Sequence, residues 1–398
     1  MTKPRILVFI GYYLPGFQAG GALRGLANLV DHLGDSYEFR IVTSDRDEGT
    51  HQSYPGIKVN DWNRVGKAWV YYLSPDALSW GSLRRLMHAT PHDLLYLNSL
   101  FNYHFTIKPL VLRQLRLSPA RPVIVAPKGE LAEGALAIRT RKKMAYLRAT
   151  RSLQLYGDVT WHAQGDLETG EIARVMGASA PVHLAVDIAS GKGANGAAAE
   201  ARPPKRPGTL RAVFISRVSP KKNLDGALRY LKELRRGEVE YDIYGPIQDQ
   251  AHWQECQRLI AELPPNVRVQ YKGPIPNERV VPTLQQYHLF FFPTHSESFG
   301  HAIHEALLAG CPALISDQTP WQGLEEKGVG WSLSLGDPAR IRATLEWLVD
   351  ADEEAHRPWS DRAHAYALRA GAVEESVESH RVMFDRALHR APATGARF

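Results

Sequence analysis

Glu297 and Glu305 stand eight positions apart in the run Pro293-Thr294-His295-Ser296-Glu297-Ser298-Phe299-Gly300-His301-Ala302-Ile303-His304-Glu305. An apolar, strand-like segment, His288–Phe292, precedes the run, and a helix-like stretch closed by Gly310 follows it. A glycine-bearing turn between strand and helix leaves backbone N–H groups at the positive end of the helix dipole, a favourable place for phosphate. On a helix, eight positions separate two carboxylates by roughly 12 Å. A nucleotide-sugar carries hydroxyl-rich rings on both sides of its diphosphate. One carboxylate can hold the sugar and the other the ribose, with the diphosphate between them over the helix start. The plain alternative is a surface helix with two solvated glutamates. The strand before the turn, the Ser-Phe-Gly turn itself and the apolar Ala306-Leu307-Leu308-Ala309 after it weigh against that alternative.

Three further groups could do chemistry. Arg217 and Lys222 follow a strand-like segment, Ala212–Ser216. A guanidinium and an ammonium there can neutralise a departing diphosphate without a metal, although alone they read equally well as a solvated basic loop. Gly20 and Gly21 sit between the strand Ile6–Ile10 and the helix Ala22–Leu33. Lacking Cβ atoms, they permit close backbone approach to a ligand. Asp45-Arg46-Asp47 has a spacing that can hold a divalent metal. The short match is outweighed by its place after an early strand, and a loop on the acceptor side is the favoured reading.

These groups need a scaffold, and the chain is long enough to supply one. Its 398 residues, 44% of them apolar, suffice for two domains. Apolar runs alternate with helical patterns, the sign of doubly wound parallel sheets. In the first half the predicted strands are Ile6–Ile10, Phe39–Thr43, Leu94–Leu97, Val123–Ala126, Thr160–His162 and Val182–Leu184. In the second half they are Ala212–Ser216, Glu240–Tyr244, Val267–Tyr271, Leu289–Phe292 and Ala313–Ser316. The domains are expected at 1–188 and 209–372, joined by a Gly-, Ala- and Pro-rich linker at 189–208. Residues 373–398 form a terminal helix and tail that can fold back on the first domain. Ligands in such sheets bind at the carboxyl ends of the strands.

The net charge of +6 favours anionic partners. Cys256 and Cys311 form no disulfide framework or metal-ligand spacing, in keeping with a reducing cytoplasm. No apolar stretch reaches the length of a membrane span. Arg139, Arg141, Lys142, Lys143, Arg148 and Arg151 crowd one helical stretch with Met144, Leu147 and Leu153. Such a helix either lies on an anionic membrane or presents an ordinary solvated face. No aromatic-interleaved basic platform accompanies it, so nucleic acid is not an expected partner.

Taken together, these motifs resemble the retaining glycosyltransferases of family 4, which have the GT-B fold of two facing Rossmann-like domains. The resemblance rests on Gly20-Gly21, Arg217 with Lys222, Glu297 through Glu305, and Gly245 after Tyr241–Tyr244. Leu14-Pro15-Gly16 with Ala19-Gly20-Gly21, Ser44-Asp45-Arg46-Asp47, Asn98-Ser99-Leu100-Phe101, Pro127-Lys128-Gly129-Glu130-Leu131 and Thr319-Pro320-Trp321 are similar, more narrowly, to bacterial members that build surface polysaccharides.

The resemblance implies a role for each position. Glu297 would hold donor-sugar hydroxyls, and Ser298, Phe299, Gly300 and His301 would line the sugar and phosphate. Glu305 would take the ribose, and Arg217 with Lys222 the diphosphate. Gly245, Pro274 and Ile275 would flank the nucleoside. Asn98, Lys128 and Glu130 would stand on the acceptor side. The implied reaction is front-face transfer of a sugar from a UDP- or GDP-linked donor to a glycan or lipid-linked acceptor, with no cofactor or metal. The implied location is the cytoplasm, with peripheral attachment to the inner face of the membrane.

One departure stands out. Many relatives carry a histidine near where this chain has Lys128-Gly129-Glu130, and His104 and His162 are the candidates to replace it. Two other readings stay open: a sugar-nucleotide epimerase of similar fold, and a nucleotide-sugar-binding protein without transfer. A dinucleotide dehydrogenase is disfavoured, since no strand is followed by G-x-G-x-x-G.

Overall fold

The structure, a computed structural model, describes residues 3–137, 140–189, 203–370 and 373–389. The chain divides into two compact units, one of residues 1–188 with 373–398 and the other of residues 189–372. The expected linker positions 190–202 and the tail 390–398 lie outside the described residues.

The first unit holds an eight-stranded sheet. Its strands are β1 (Arg5–Ile10), β2 (Glu38–Ser44), β3 (Trp62–Val65), β4 (Ala68–Leu73), β5 (Leu94–Asn98), β6 (Val123–Ala126), β7 (Val159–Ala163) and β8 (Val182–Leu184). They lie in the order β3-β4-β2-β1-β5-β6-β7-β8. All pairings are parallel except the β3–β4 hairpin. Strands β1, β5 and β6 are near-continuous apolar runs because helices cover both faces of the sheet. The hairpin escaped the sequence reading. Trp62–Val65 has no alternation of buried and exposed positions, and the turn rests on Gly66 at φ 54°.

The second unit holds an all-parallel sheet of β9 (Thr209–Ile215), β10 (Glu238–Tyr244), β11 (Val267–Gly273), β12 (Leu289–Phe292), β13 (Ala313–Ser316) and β14 (Gly330–Leu333). The order is β11-β10-β9-β12-β13-β14. Strand β14 was not anticipated, because it is short and opens on a glycine. There, a Cβ would lie 2.2 Å from the Ala313 carbonyl oxygen.

The terminal helix Val373–His389 belongs to the first unit, as expected. Met383, Phe384 and Ala387 enter the core between the helix Gly21–Leu33 and strands β1, β2 and β5. Phe384 meets Tyr37, Phe39 and Tyr96 edge to face at 5.4–6.1 Å. Tyr37 donates to the Asp385 carboxylate at 2.6 Å, and His183 and Ser379 tie the helix to β8. The first unit is therefore completed by the helix Val373–His389, far along the chain from the strands it covers. Truncating Phe384 to Ala should destabilise this unit by about 3–5 kcal/mol, the usual cost of an aromatic cavity. Urea denaturation monitored by tyrosine and tryptophan fluorescence checks this, and an unchanged midpoint would contradict the packing described.

Candidate functional site

In the second sheet, strand order reverses between β9 and β12. At such a switch point the loops leaving adjacent strands diverge to opposite faces, and a crevice opens at the carboxyl edge. The sequence places its chemistry there. Strand β9 ends at Ile215 and leads to Arg217 and Lys222, and β12 ends at Phe292 and leads to Glu297.

Lys222 closes a 3-10 turn, Pro220–Lys222, and Asn223 follows in the left-handed region at φ 56°. That reversal directs the Lys222 ammonium to the β12 loop, where it pairs with the Glu297 carboxylate. Both side chains are nearly buried, 9% and 12% exposed. The ammonium also sits 5.6 Å from the centre of the Phe292 ring. Burial lowers the Lys222 pKa and Glu297 pulls it back up, leaving it at about 8. For Glu297, burial favours the neutral form, but Lys222, Lys221 and Arg217 together outweigh it and hold the carboxyl below its ordinary value. The half-buried Arg217 thus acts on both partners through its field.

The two loops are stitched together by groups that the sequence reading passed over. The Asn223 amide donates to the Pro293 carbonyl at 2.7 Å, and His295 N–H to the Lys221 carbonyl at 2.9 Å. The buried Thr294 hydroxyl reaches the Lys221 carbonyl at 3.1 Å, and Ser316 donates to the Thr294 carbonyl. Small polar residues in a Pro-Thr-His or Lys-Lys-Asn context carry little signal in isolation. Their role exists only where β9 and β12 lie side by side.

Beyond Glu297 and Ser298, Phe299 is buried and Gly300 caps the helix His301–Leu308 with φ 82°. A Cβ on Gly300 would come within 2.8 Å of Ile303 and 3.3 Å of Trp321. The Trp321 indole N–H donates to the Phe299 carbonyl at 2.5 Å, with the rings 5.8 Å apart, so Trp321 braces the turn. His301 packs on Phe299 at 4.7 Å. The N–H groups of Ile303 and His304 turn back to the Gly300 carbonyl at 2.9 and 3.1 Å, so the positive end of the helix dipole opens on the turn. Glu305 lies one turn in and is buried. The helix begins only at His301, so Glu297 stands on the loop, and the helical spacing of roughly 12 Å does not describe the pair.

Loops after β10 and β11 border the same edge. Gly245 has φ 133°, and a Cβ there would lie 1.9 Å from the Ser216 carbonyl oxygen, which no other residue type can accommodate. Gly245 N–H donates to the Gly273 carbonyl at 2.9 Å, and the Tyr271 hydroxyl donates to the Gly245 carbonyl at 2.8 Å. Pro274 is exposed and Ile275 half-buried just beyond.

In the first unit, Gly20 (φ 75°) caps the helix Gly21–Leu33 after β1. Asp47 accepts N–H groups from Phe17 and Gln18 at 2.8 and 3.2 Å, and Asp45 pairs with Arg46 at 2.7 Å. Both carboxylates of the Asp-x-Asp are thus engaged by the protein. Among the described residues no group of three or more His, Cys, Asp or Glu is arranged to hold a metal. Asn98 ends β5 buried, with neither amide atom bonded to the protein. The Lys128 ammonium, on a backbone at φ 54°, meets Asp187 at 3.0 Å.

The Glu130 carboxylate takes Ser99 Oγ at 3.0 Å and the N–H groups of Leu100 and Phe101 at 2.5 and 3.1 Å. His162 is a core residue, its Nδ1 at 2.8 Å from the Tyr96 hydroxyl and its Nε2 at 2.8 Å from the Ala185 carbonyl oxygen. Burial holds it neutral, well below the ordinary histidine range. His104 lies half-buried in the turn Tyr103–Ile107.

Comparison with known proteins adds a family. Residues 198–364 match the family described as "Glycosyl transferases group 1". The D-inositol 3-phosphate glycosyltransferase of Nocardia farcinica is 33% identical over 127 residues, 30% of this chain and 28% of that protein. The match therefore spans little more than a quarter of that relative. Sucrose-phosphate synthase from Thermosynechococcus elongatus superposes with a TM-score of 0.70 at 15% identity, covering 97% of this chain and 99% of its own. HepE of Anabaena, solved with UDP and glucose, gives 0.70 at 16% identity, covering 96% and 100%. The fold is GT-B.

The buried pair itself is open to test. Glu297→Ala strands an ammonium in the interior and should cost about 3–5 kcal/mol of stability, whereas Glu297→Gln combined with Lys222→Met should cost far less. Denaturant titration of the two variants checks this. Equal losses would mean that the charges are not coupled as described.

Proposed function

We propose that this chain, whose residues 198–364 match the glycosyl transferases group 1 family, is a retaining glycosyltransferase. It moves a sugar from a UDP- or GDP-linked donor to a hydroxyl of a glycan or lipid-linked acceptor, in surface polysaccharide synthesis. The observation that carries this reading is the Lys222–Glu297 pair at the β9–β12 switch point, beside the start of the helix His301–Leu308.

The chemistry follows from the charges. As the bond from sugar carbon to phosphate oxygen breaks, the diphosphate leaves with the electron pair. Lys222 and Arg217 neutralise the charge that grows there, and the helix N–H groups donate to the phosphate oxygens. Glu297 orients Lys222 and receives sugar hydroxyls, while Glu305 takes the ribose. Gly245, Pro274 and Ile275 border the base. The acceptor hydroxyl attacks from the face that the leaving group vacates, and its proton passes to the departing phosphate. No metal takes part. Because the Anabaena protein was solved with UDP and glucose, UDP-glucose is the first donor to assay. Free nucleotide with a glycosylated acceptor supports transfer, and an altered donor sugar would point to epimerisation instead.

Two expectations test the site. Glu305→Ala and Arg217→Ala should each lower turnover roughly thirty- to a thousandfold, the equivalent of about 2–4 kcal/mol. Lys222 must be protonated to hold the diphosphate, so kcat/KM for the donor should fall as pH rises through about 8. Near wild-type rates in both variants, with a flat profile to pH 9, would remove these residues from the mechanism.

The place of action has support of its own. On the helix Thr140–Ser152, Arg141, Lys142 and Arg148 are exposed beside Met144, and Leu153 just beyond is 66% exposed. Lys143 and Arg151 instead turn to the Ala135 and Val175 carbonyls, and Arg139 lies outside the described residues. No helix among the described residues is long and apolar enough to cross a membrane. Arg141, Lys142 and Arg148, at about 1 kcal/mol each, suffice for weak, salt-sensitive attachment to an anionic cytoplasmic leaflet. Flotation with anionic but not neutral vesicles, lost as salt rises, is the expected result. Equal partition into both, or into neither, would leave the helix as a solvated face.

A further inference from the structure

The carboxyl edge of the first unit's sheet carries an aromatic corner that no role above has used. Trp80 opens the helix Trp80–Ala89, which follows β4 through the short turn Pro75–Leu78. Tyr103 opens the π-helical turn Tyr103–Ile107, which follows β5. Both thus leave the ends of parallel strands, the edge where ligands bind in such sheets. Their rings stand at 88° with centroids 6.3 Å apart. Trp80 is 40% and Tyr103 50% exposed, unusual for rings of this size in so ordered a place.

The corner is fixed from behind. Lys108, only 5% exposed, places its ammonium 5.4 Å from the Trp80 ring and 5.0 Å from the Tyr103 ring, and donates to the Leu78 carbonyl at 2.5 Å. Its charge is thus spent on the two rings and the Leu78 carbonyl, which hold the rings at their angle. The segment under Tyr103 is equally constrained. Glu130 holds the N–H groups of Leu100 and Phe101, and Asn102 Oδ1 caps those of His104 and Phe105 at 3.1 and 3.0 Å. Ser79 and Ser82, hydrogen-bonded to each other at 2.9 Å, lie at the foot of the Trp80 helix.

We propose that Trp80 and Tyr103 form a stacking platform for a pyranose ring of the acceptor, so that the acceptor presents sugar, rather than only lipid, to the first unit. A pyranose has one face lined by C–H groups and a rim of hydroxyls. Two perpendicular rings cradle the apolar face, and small polar side chains beside them suit the rim. Rigid aromatics bind at low entropic cost because little rotamer freedom is lost. Arg84 and Arg85 on the same helix are exposed, Arg85 reaching Ser82 Oγ at 3.3 Å, so an anionic membrane is the rival occupant that the vesicle measurement below distinguishes. This inference rests on the transfer reading for its biological sense, but its binding test does not depend on transfer.

Saturation-transfer NMR of the full chain, in the presence of UDP, with methyl glucosides, galactosides and mannosides and their disaccharides as probes, decides the matter. Wild type should transfer saturation to the C–H face of at least one probe. Trp80→Ala and Tyr103→Ala should weaken that probe about tenfold, the scale of losing one aromatic stack, while Tyr103→Phe stays within about twofold. The thermal shift given by UDP should be the same in all of them, which reports that the variants are folded. A UDP shift missing from wild type would count against the donor reading and leave the platform standing if sugars still bind. No saturation transfer to any probe, or equal transfer in wild type and both Ala variants, overturns the platform. Unchanged sugar binding with lost partition into anionic vesicles would assign the rings to a membrane surface instead, and also overturns it.

Discussion

A lysine ammonium taken out of water must find a partner, and the second unit is organised around supplying one to Lys222. The isolated cost of burying such a charge is several kcal/mol, so the pair survives only with good geometry and further hydrogen bonds around it. Glu297 provides the charge, and Thr294, Asn223, Ser316 and the β12 loop carbonyls provide the frame. That requirement fixes which strands must be neighbours. Lys222 follows β9 and Glu297 follows β12, and only a sheet that reverses its order between these two strands brings both loops to one crevice. The topology and the ion pair impose the same constraint, one through the backbone and the other through charge.

Glycines allow the remaining loops to close on that edge. At Gly245 the backbone runs so near the Ser216 carbonyl that a single methyl group would collide, and at Gly300 the left-handed turn aims the helix start along the loop. Trp321 then locks the turn from the β13 side through its bond to the Phe299 carbonyl. In the first unit a comparable economy holds at the ends of β1, β5 and β6. There Asp47, Glu130 and Asp187 are spent on N–H groups and on Lys128, fixing loops rather than facing solvent. Buried carboxylates of this kind are costly unless every acceptor lone pair is used, which is why they sit where several donors converge.

How far the sequence discloses this depends on the range of each interaction. Strands such as Ile6–Ile10 and Leu289–Phe292 were legible because continuous apolar runs between helical patterns have few other solutions. The Ser-Phe-Gly turn was legible because glycine at a strand-to-helix junction has a local backbone cause. Strand β3 and strand β14 were not, being short and dependent on neighbours for their burial. The partners of Glu130 were not legible for a related reason. Its carboxylate is tied to the loop Ser99–Phe101, some thirty positions earlier in the chain. Glu297 and Lys222 were each singled out, but not as partners. The 75 positions between Lys222 and Glu297 carry no local trace of the pair.

On the proposed transfer reading, the pair also decides how the site would respond to a diphosphate. In the free protein Lys222 is protonated near neutral pH but with its pKa already lowered to about 8, so its charge is held by Glu297 against burial. A doubly charged ligand arriving beside it adds a second, stronger anion, which favours the protonated lysine and weakens its dependence on Glu297. The carboxylate is then freed in part to accept sugar hydroxyls, while the field of Arg217 and Lys221 keeps it ionised. In the proposed transfer, the negative charge that grows as the bond to phosphate breaks would meet a lysine and an arginine already in place. Dipoles and charges oriented before the reaction need no reorganisation during it, so stabilisation grows with the charge itself. A buried ion pair adds little to stability when compared with an apolar replacement. Its place at the switch point is better explained by this exchange of partners than by any gain to the fold.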